Sequence, residues 1–137
     1  MVALCAAIML SAVPSTTAVA TSSREQQLYS MVNQARDANG RARLSLSDRL
    51  SRRAHNHSER MADSGSIFHS CLDCGKRRSY STMAENVGTG GSIGAVHDAL
   101  MESSGHRENI LGSQFDRVGI GVVRSGGRVW VTELFAG

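Results

Sequence analysis

Aromatic side chains are scarce in this 137-residue chain, which has one Trp, two Tyr and three Phe. A platform that stacks single-stranded nucleic acid needs rings in series, and that scarcity argues against one. Proline occurs once, at Pro14. There it interrupts the one long apolar stretch, which together with the Ser-Thr-Thr run falls short of the roughly 20 residues that a bilayer span requires. Phosphate-loop and dinucleotide patterns are missing too. No G-x-G-x-x-G links a strand to a helix, and Gly88-Thr89-Gly90-Gly91 lacks the following Lys-Ser/Thr. No H-E-x-x-H is present. His55 and His57 stand two positions apart, a spacing that cannot turn both rings toward one ion from a helix. The G-x-S-x-G elbow of serine hydrolases is absent as well, so Ser70, Ser103 and Ser104 near candidate histidines are weak evidence for that chemistry.

Charge is missing from residues 1–20, which end in Ala18-Val19-Ala20, the small-x-small pattern of a signal-peptidase site. The expected division is a signal peptide over residues 1–20 and a single exported domain over residues 21–137, long enough for one core and too short for two. The lack of Lys or Arg ahead of the apolar run departs from the usual leader. After cleavage the product is secreted and is not an integral membrane protein. The net charge of +3 then belongs wholly to the mature part. It is spread over scattered arginines and the Lys76-Arg77-Arg78 run, a solvated surface more than a nucleic-acid footprint, and no nucleic-acid partner is expected. Two cysteines remain, Cys71 and Cys74. In an exported protein their spacing reads first as a small disulfide loop. A redox pair would be placed at a helix start after a strand, and structural zinc needs four ligands.

Ser23, three residues before Gln26, predicts a capped helix carrying Leu28, Met31, Val32 and Ala35 and stopping near Asn39-Gly40. A second helix opens near Ser47 and runs to Gly65 with Leu50, Ala54, His57 and Met61 facing inward. Residues 66–91 show no sustained period and are expected to form a long structured loop, with room for one short strand or helical turn. Ser92 starts a third helix that ends at Ser103-Ser104-Gly105. Val118, Ile120 and Val122 mark one strand, Val129 and Val131 another, joined through Ser125-Gly126-Gly127 as an antiparallel hairpin. Helices on either side of sheet-forming segments imply an α/β fold, a small antiparallel sheet covered by helices.

Three polar segments stand out: Phe68-His69-Ser70, Ala84-Glu85-Asn86-Val87 and Ser104-Gly105-His106-Arg107-Glu108-Asn109. Two neutral imidazoles, His69 and His106, with Glu85 as ligand or as the acceptor that orients a ring, would suit a divalent metal such as Zn²⁺ with positions left for water. The structural alternative is as simple. His69 hydrogen-bonds the loop, Glu85 accepts backbone N–H groups, and His106 ends a helix. His57 reads as a buried hydrogen-bonding residue. Asn86 and Asn109 read as loop braces, with Val87, Ile110 and Leu111 as buried anchors.

The segments resemble the bacterial branch of the CAP superfamily, which groups cysteine-rich secretory, antigen 5 and pathogenesis-related 1 proteins. The resemblance runs from about Gln27 to Phe135. It rests on Val32-Asn33-x-x-Arg36, Leu50-x-x-x-Ala54-x-x-His57-Ser58-x-x-Met61-Ala62, Phe68-His69-Ser70 and Glu85-Asn86-Val87. It continues through Ser103-x-Gly105-His106-Arg107-x-Asn109-Ile110-Leu111, Phe115-x-x-Val118-Gly119-Ile120-Gly121 and Trp130-x-Thr132-x-x-Phe135. It implies a three-layer α-β-α sandwich with a small, mainly antiparallel central sheet, and a cleft lined by His69, His106 and Glu85. The second family glutamate falls at Ser103, with Glu102 one step, about 100° of helix, away. What the resemblance implies for function is an extracellular binding or interaction module, whose ligand is a lipid, a cell-wall component or a protein. Two other activities are metal-assisted hydrolysis of peptide or cell-wall material, with Glu85 handling the proton, and carriage of a lipid or sterol. Fold alone does not choose among them.

Overall fold

The computed structural model describes residues 22–72 and 80–137. The expected leader, Cys74 and the Lys76-Arg77-Arg78 run lie outside the described residues. The elements in chain order are α1 (Ser23–Ala38), β1 (Ser45–Leu46), α2 (Asp48–Ser64), β2 (Met83–Gly90), α3 (Ile93–Glu102), α4 (Ser104–Leu111), β3 (Arg117–Ser125) and β4 (Arg128–Ala136). The strands form one sheet in the order β1-β3-β4-β2. β2 and β3 each run antiparallel to β4, and only the two-residue β1 runs parallel, to β3. With α2 on one face and α1, α3 and α4 on the other, the α-β-α sandwich is the observed architecture.

Each face is built by the strand period of two. Val118, Ile120 and Val122 of β3, with Val131 and Phe135 of β4, enter the large core with Leu28 and Val32 of α1 and Ile110 of α4. The alternate residues of β3 are Gly119 and Gly121, and they let α2 lie directly on the sheet. A Cβ at Gly119 would overlap the Leu50 carbonyl carbon, and one at Gly121 would overlap that of Ala54. This face is closed by two smaller clusters, Leu50, Ala54, Leu134 and Ala136, and Met61, Val87 and Trp130. The β3–β4 hairpin turns through Gly126 and Gly127, both at positive φ, as a two-residue turn of this hand requires.

Beyond its two residues of pairing with β1, the edge of β3 is covered by side chains. Ser51 Oγ accepts from the Ile120 N–H, and the buried Glu25 carboxylate accepts from that of Val122. A bare edge strand would leave those donors open to a second chain.

Four features differ from expectation. The cap of α1 is Ser22 with Glu25 in a reciprocal capping box, one residue ahead of the Ser23–Gln26 pairing. Within residues 66–91 lies an eight-residue strand, β2, made of Met-Ala-Glu-Asn-Val-Gly-Thr-Gly. Its glycines weaken the strand signal, yet they are needed: a Cβ at Gly88 would meet Val96 of α3 at 2.8 Å. The third helix, α3, stops at Glu102 with Ser103 as its cap, as expected, but a further helix follows at once: α4 starts at Ser104, a mostly polar segment whose one buried residue, Ile110, supplies too little periodicity to reveal it. β1 is additional, and at two residues it is too short to show a pattern.

Candidate functional site

α2 ends at Gly65 in the left-handed conformation, and beyond it Phe68 and Ser70 are held against α2 and β2 through His57 and Glu85. His57 is buried on α2. The Nε2 of this ring lies 2.7 Å from the Phe68 carbonyl and its Nδ1 3.0 Å from the Arg60 guanidinium. A carbonyl only accepts and a guanidinium only donates, so Nε2 carries the proton. The Phe68 ring meets His57 edge-on at 5.1 Å. His57 is therefore the buried hydrogen-bonding residue that its place on the helix predicts, and it holds the backbone one residue before His69.

Glu85 comes from β2, opposite Leu134 of β4, and points toward the α2 face. Its Oε1 accepts from the Ser70 N–H at 2.7 Å and lies 2.9 Å from His69 Nδ1, while its Oε2 accepts from Ser70 Oγ. The carboxylate is 2% exposed and the His69 side chain 62% exposed. Facing a carboxylate oxygen, which only accepts, Nδ1 is the ring nitrogen that donates, and Nε2 is the nitrogen turned away from Glu85. Both oxygens of Glu85 are occupied, so its role is to orient His69 and tie down the loop. Orienting a ring and accepting a backbone N–H, two roles weighed for Glu85 from the sequence, are both present in this geometry.

His106 reaches β2 from the other side. It lies on α4, which packs with α3 on the sheet face opposite α2, and its carbonyl accepts from Asn86 Nδ2 at 3.0 Å. Its ring Nδ1 sits 2.8 Å from Ser103 Oγ, at the position where the resemblance implied a glutamate. The structure thus joins His69 to Glu85 and His106 to Ser103. Asn86, next to Glu85 in the strand, links the two halves. Among the described residues, no three His, Cys, Asp or Glu side chains form a group arranged to hold a metal ion.

A buried network lies behind this strand. Asn86 Nδ2 also donates to Glu133 Oε2 at 3.0 Å, and Asn109 Nδ2 donates to Asn86 Oδ1 at 2.9 Å. Asn86 and Asn109 brace β2 against α4, and Val87 and Ile110 are buried as expected, whereas Leu111, also expected as a buried anchor, is half-buried. Glu133 is fully buried, its Oε1 has no hydrogen-bond partner among the described residues, and burial raises its pKa to about 7 against the weaker downward pull of Asn86. Sequence reasoning passed over Glu133. The available signal was its register with Val129, Val131 and Phe135, which places an acid on the inward face of a strand.

This fold and these motifs match one family model, that of the Cysteine-rich secretory protein (CAP) family, over residues 29–135. The chain belongs to the CAP family. It is 33% identical over 125 residues to the uncharacterized protein YkwD of Bacillus subtilis (strain 168), covering 85% of this chain. The chain spans 48%, about half, of that relative's length. Among solved structures it resembles an extracellular protein containing an SCP domain from Bacillus anthracis, with a TM-score of 0.70 and 24% identity over 82% of this chain and 40% of the other. It also resembles an outer surface protein of Borrelia burgdorferi, with a TM-score of 0.72 and 18% identity over 81% of this chain and 90% of the other. At these identities the structural likeness speaks for the CAP fold. Among the described residues no helix is long and apolar enough to cross a membrane.

Proposed function

We propose that this CAP domain is an extracellular binding module whose recognition site is the exposed edge of His69, and that this site takes a divalent cation such as Zn²⁺. The carrying observation is the 2.9 Å contact between His69 Nδ1 and the buried Glu85 carboxylate. A carboxylate on one ring nitrogen fixes the tautomer and raises the basicity of the other, the arrangement found around imidazoles that bind metals. β2 is an edge strand of the sheet, so in this reading His106, on its other side, supplies the second imidazole around that edge, through the nitrogen not engaged by Ser103. Glu85 serves as the orienting acceptor, because its oxygens are taken. Two imidazoles with water in the remaining positions make a weak site, below the three protein ligands of a catalytic zinc. The extracellular setting is supported by the likeness to an extracellular protein of Bacillus anthracis and an outer surface protein of Borrelia burgdorferi. It is supported as well by the charge-free residues 1–20. Cys71 is not a free thiol, in keeping with a Cys71–Cys74 disulfide that would pin the loop behind His69.

Isothermal titration with Zn²⁺ tests the reading. Saturable binding is expected for the wild type and its loss in the His69→Ala/His106→Ala double variant. Equal heats for both proteins would remove the proposal. A metal-assisted hydrolase is the second reading, favoured by the same carboxylate–imidazole pair, which also suits a general base. Turnover of peptide or cell-wall substrates that chelation leaves unchanged would sink it.

A further inference from the structure

On the α4 side of the molecule, well separated in sequence from His69, a groove of about 540 Å³ runs along α4 and the segment that follows it. Its lining includes Arg41, Ser104, Arg107, Glu108, Gly112 and Gln114. Arg41 and Arg107 are exposed, and among the described residues neither has a carboxylate partner. The hydrogen bond of Arg107 goes to the neutral amide oxygen of Asn39 at 3.0 Å.

Behind the wall lies a third guanidinium. Arg36 is 1% exposed. It donates to the carbonyls of Ala42, Ile110 and Gly112 at 2.7, 2.7 and 3.0 Å, and Gly112 itself forms part of the groove. All three acceptors are neutral carbonyls, so among the described residues this buried cation is hydrogen-bonded but its charge is not neutralised. Burial, and then repulsion from Arg41, lower its pKa, which places the two guanidiniums within reach of one field.

We propose that this groove is a binding site for a phosphate monoester carrying a short polar, uncharged extension. Arg41 and Arg107 grip the phosphoryl oxygens and Arg36 supplies a fixed positive field from behind. Planar guanidiniums match phosphoryl oxygens in pairs, which makes arginine suited to this ligand. The volume lies within the range of small-molecule sites. Glu108, the one acid in the lining, disfavours a ligand charged along its whole length. With Ser104 and Gln114 it offers hydrogen bonds to hydroxyl groups instead, so a polyol phosphate fits better than a polyanion. The proposal does not depend on the His69–Glu85 site.

The test is an amide ¹H–¹⁵N titration of the protein with glycerol 3-phosphate, inorganic phosphate and glycerol. Saturable shifts at Ser104, Arg107, Gly112 and Gln114 are expected with both phosphates, tighter with glycerol 3-phosphate, and none with glycerol. The Arg41→Gln/Arg107→Gln variant changes two exposed side chains, and its melting temperature should match the wild type. It should bind about a hundredfold more weakly, about tenfold for each guanidinium removed. His69→Ala should bind as the wild type does. Absence of saturable shifts with either phosphate, equal shifts with glycerol, or undiminished binding by the double variant would overturn the proposal.

Discussion

Replacing Glu133 by Gln should make this protein more stable at neutral and alkaline pH. Glu133 is fully buried on β4, opposite Asn86 of β2. One oxygen accepts from Asn86, the other has no hydrogen-bond partner among the described residues, and its pKa rises from 4.5 to about 7. The folded chain therefore keeps this proton over a pH range in which the unfolded chain has released it. Stability contributed by the neutral acid is complete below pH 4.5, declines as pH rises from there through about 7, and levels off above. Each tenfold change in proton affinity is worth about 1.4 kcal/mol, so the interval from 4.5 to about 7 amounts to about 3 kcal/mol. Glutamine is close to an isostere of the neutral acid. Its carbonyl can accept from Asn86 Nδ2, and it never ionises. Urea unfolding of wild type and Glu133→Gln at a series of pH values isolates the effect, because other titrating groups cancel in the difference. The two should agree near pH 4 and diverge to about 3 kcal/mol in favour of the variant by about pH 8. Parallel stability curves across that range would refute the reasoning, and so would a variant that is weaker at the alkaline end.

The close packing of α2 on β3 yields a second expectation. Gly121→Ala drives a methyl into the Ala54 carbonyl, helix backbone that has no rotamer to move, so a loss of about 3 kcal/mol or more is expected, read as a fall in melting temperature. Glu85→Ala removes the acceptor for the Ser70 amide and should cost about 1–3 kcal/mol while speeding hydrogen exchange at that amide. Glu85→Gln keeps an oxygen there and should protect the amide nearly as the wild type does.

How far residue patterns reach is plain from individual elements. α1 and α2 carry caps, a closing glycine and a periodic apolar face, all local properties that act before any tertiary contact forms. The β3–β4 hairpin is equally local, with alternation on both sides of two adjacent glycines. β2 defeats the same reasoning because its Gly88 and Gly90 answer to α3 packing across the sheet, and a close approach of distant segments leaves no periodic trace. α4 escapes it because its residues serve Asn86, Arg36 and Ser103 through polar contacts, with one apolar anchor.

The candidate site divides along the same line. His69, Glu85 and His106 are identifiable as residue types in marked motifs, and the CAP family follows from their order along the chain. Which of them meet is decided by the sheet. Successive residues of a strand face opposite layers, so Glu85 turns to α2 and His69, while Asn86 turns to α4 and the carbonyl of His106. The burial that raises the pKa of Glu133 and leaves Arg36 among neutral acceptors is likewise a property of stacked layers. Local chemistry chose the elements and supplied the polar groups, and only long-range packing assigned each group its partner and its dielectric surroundings.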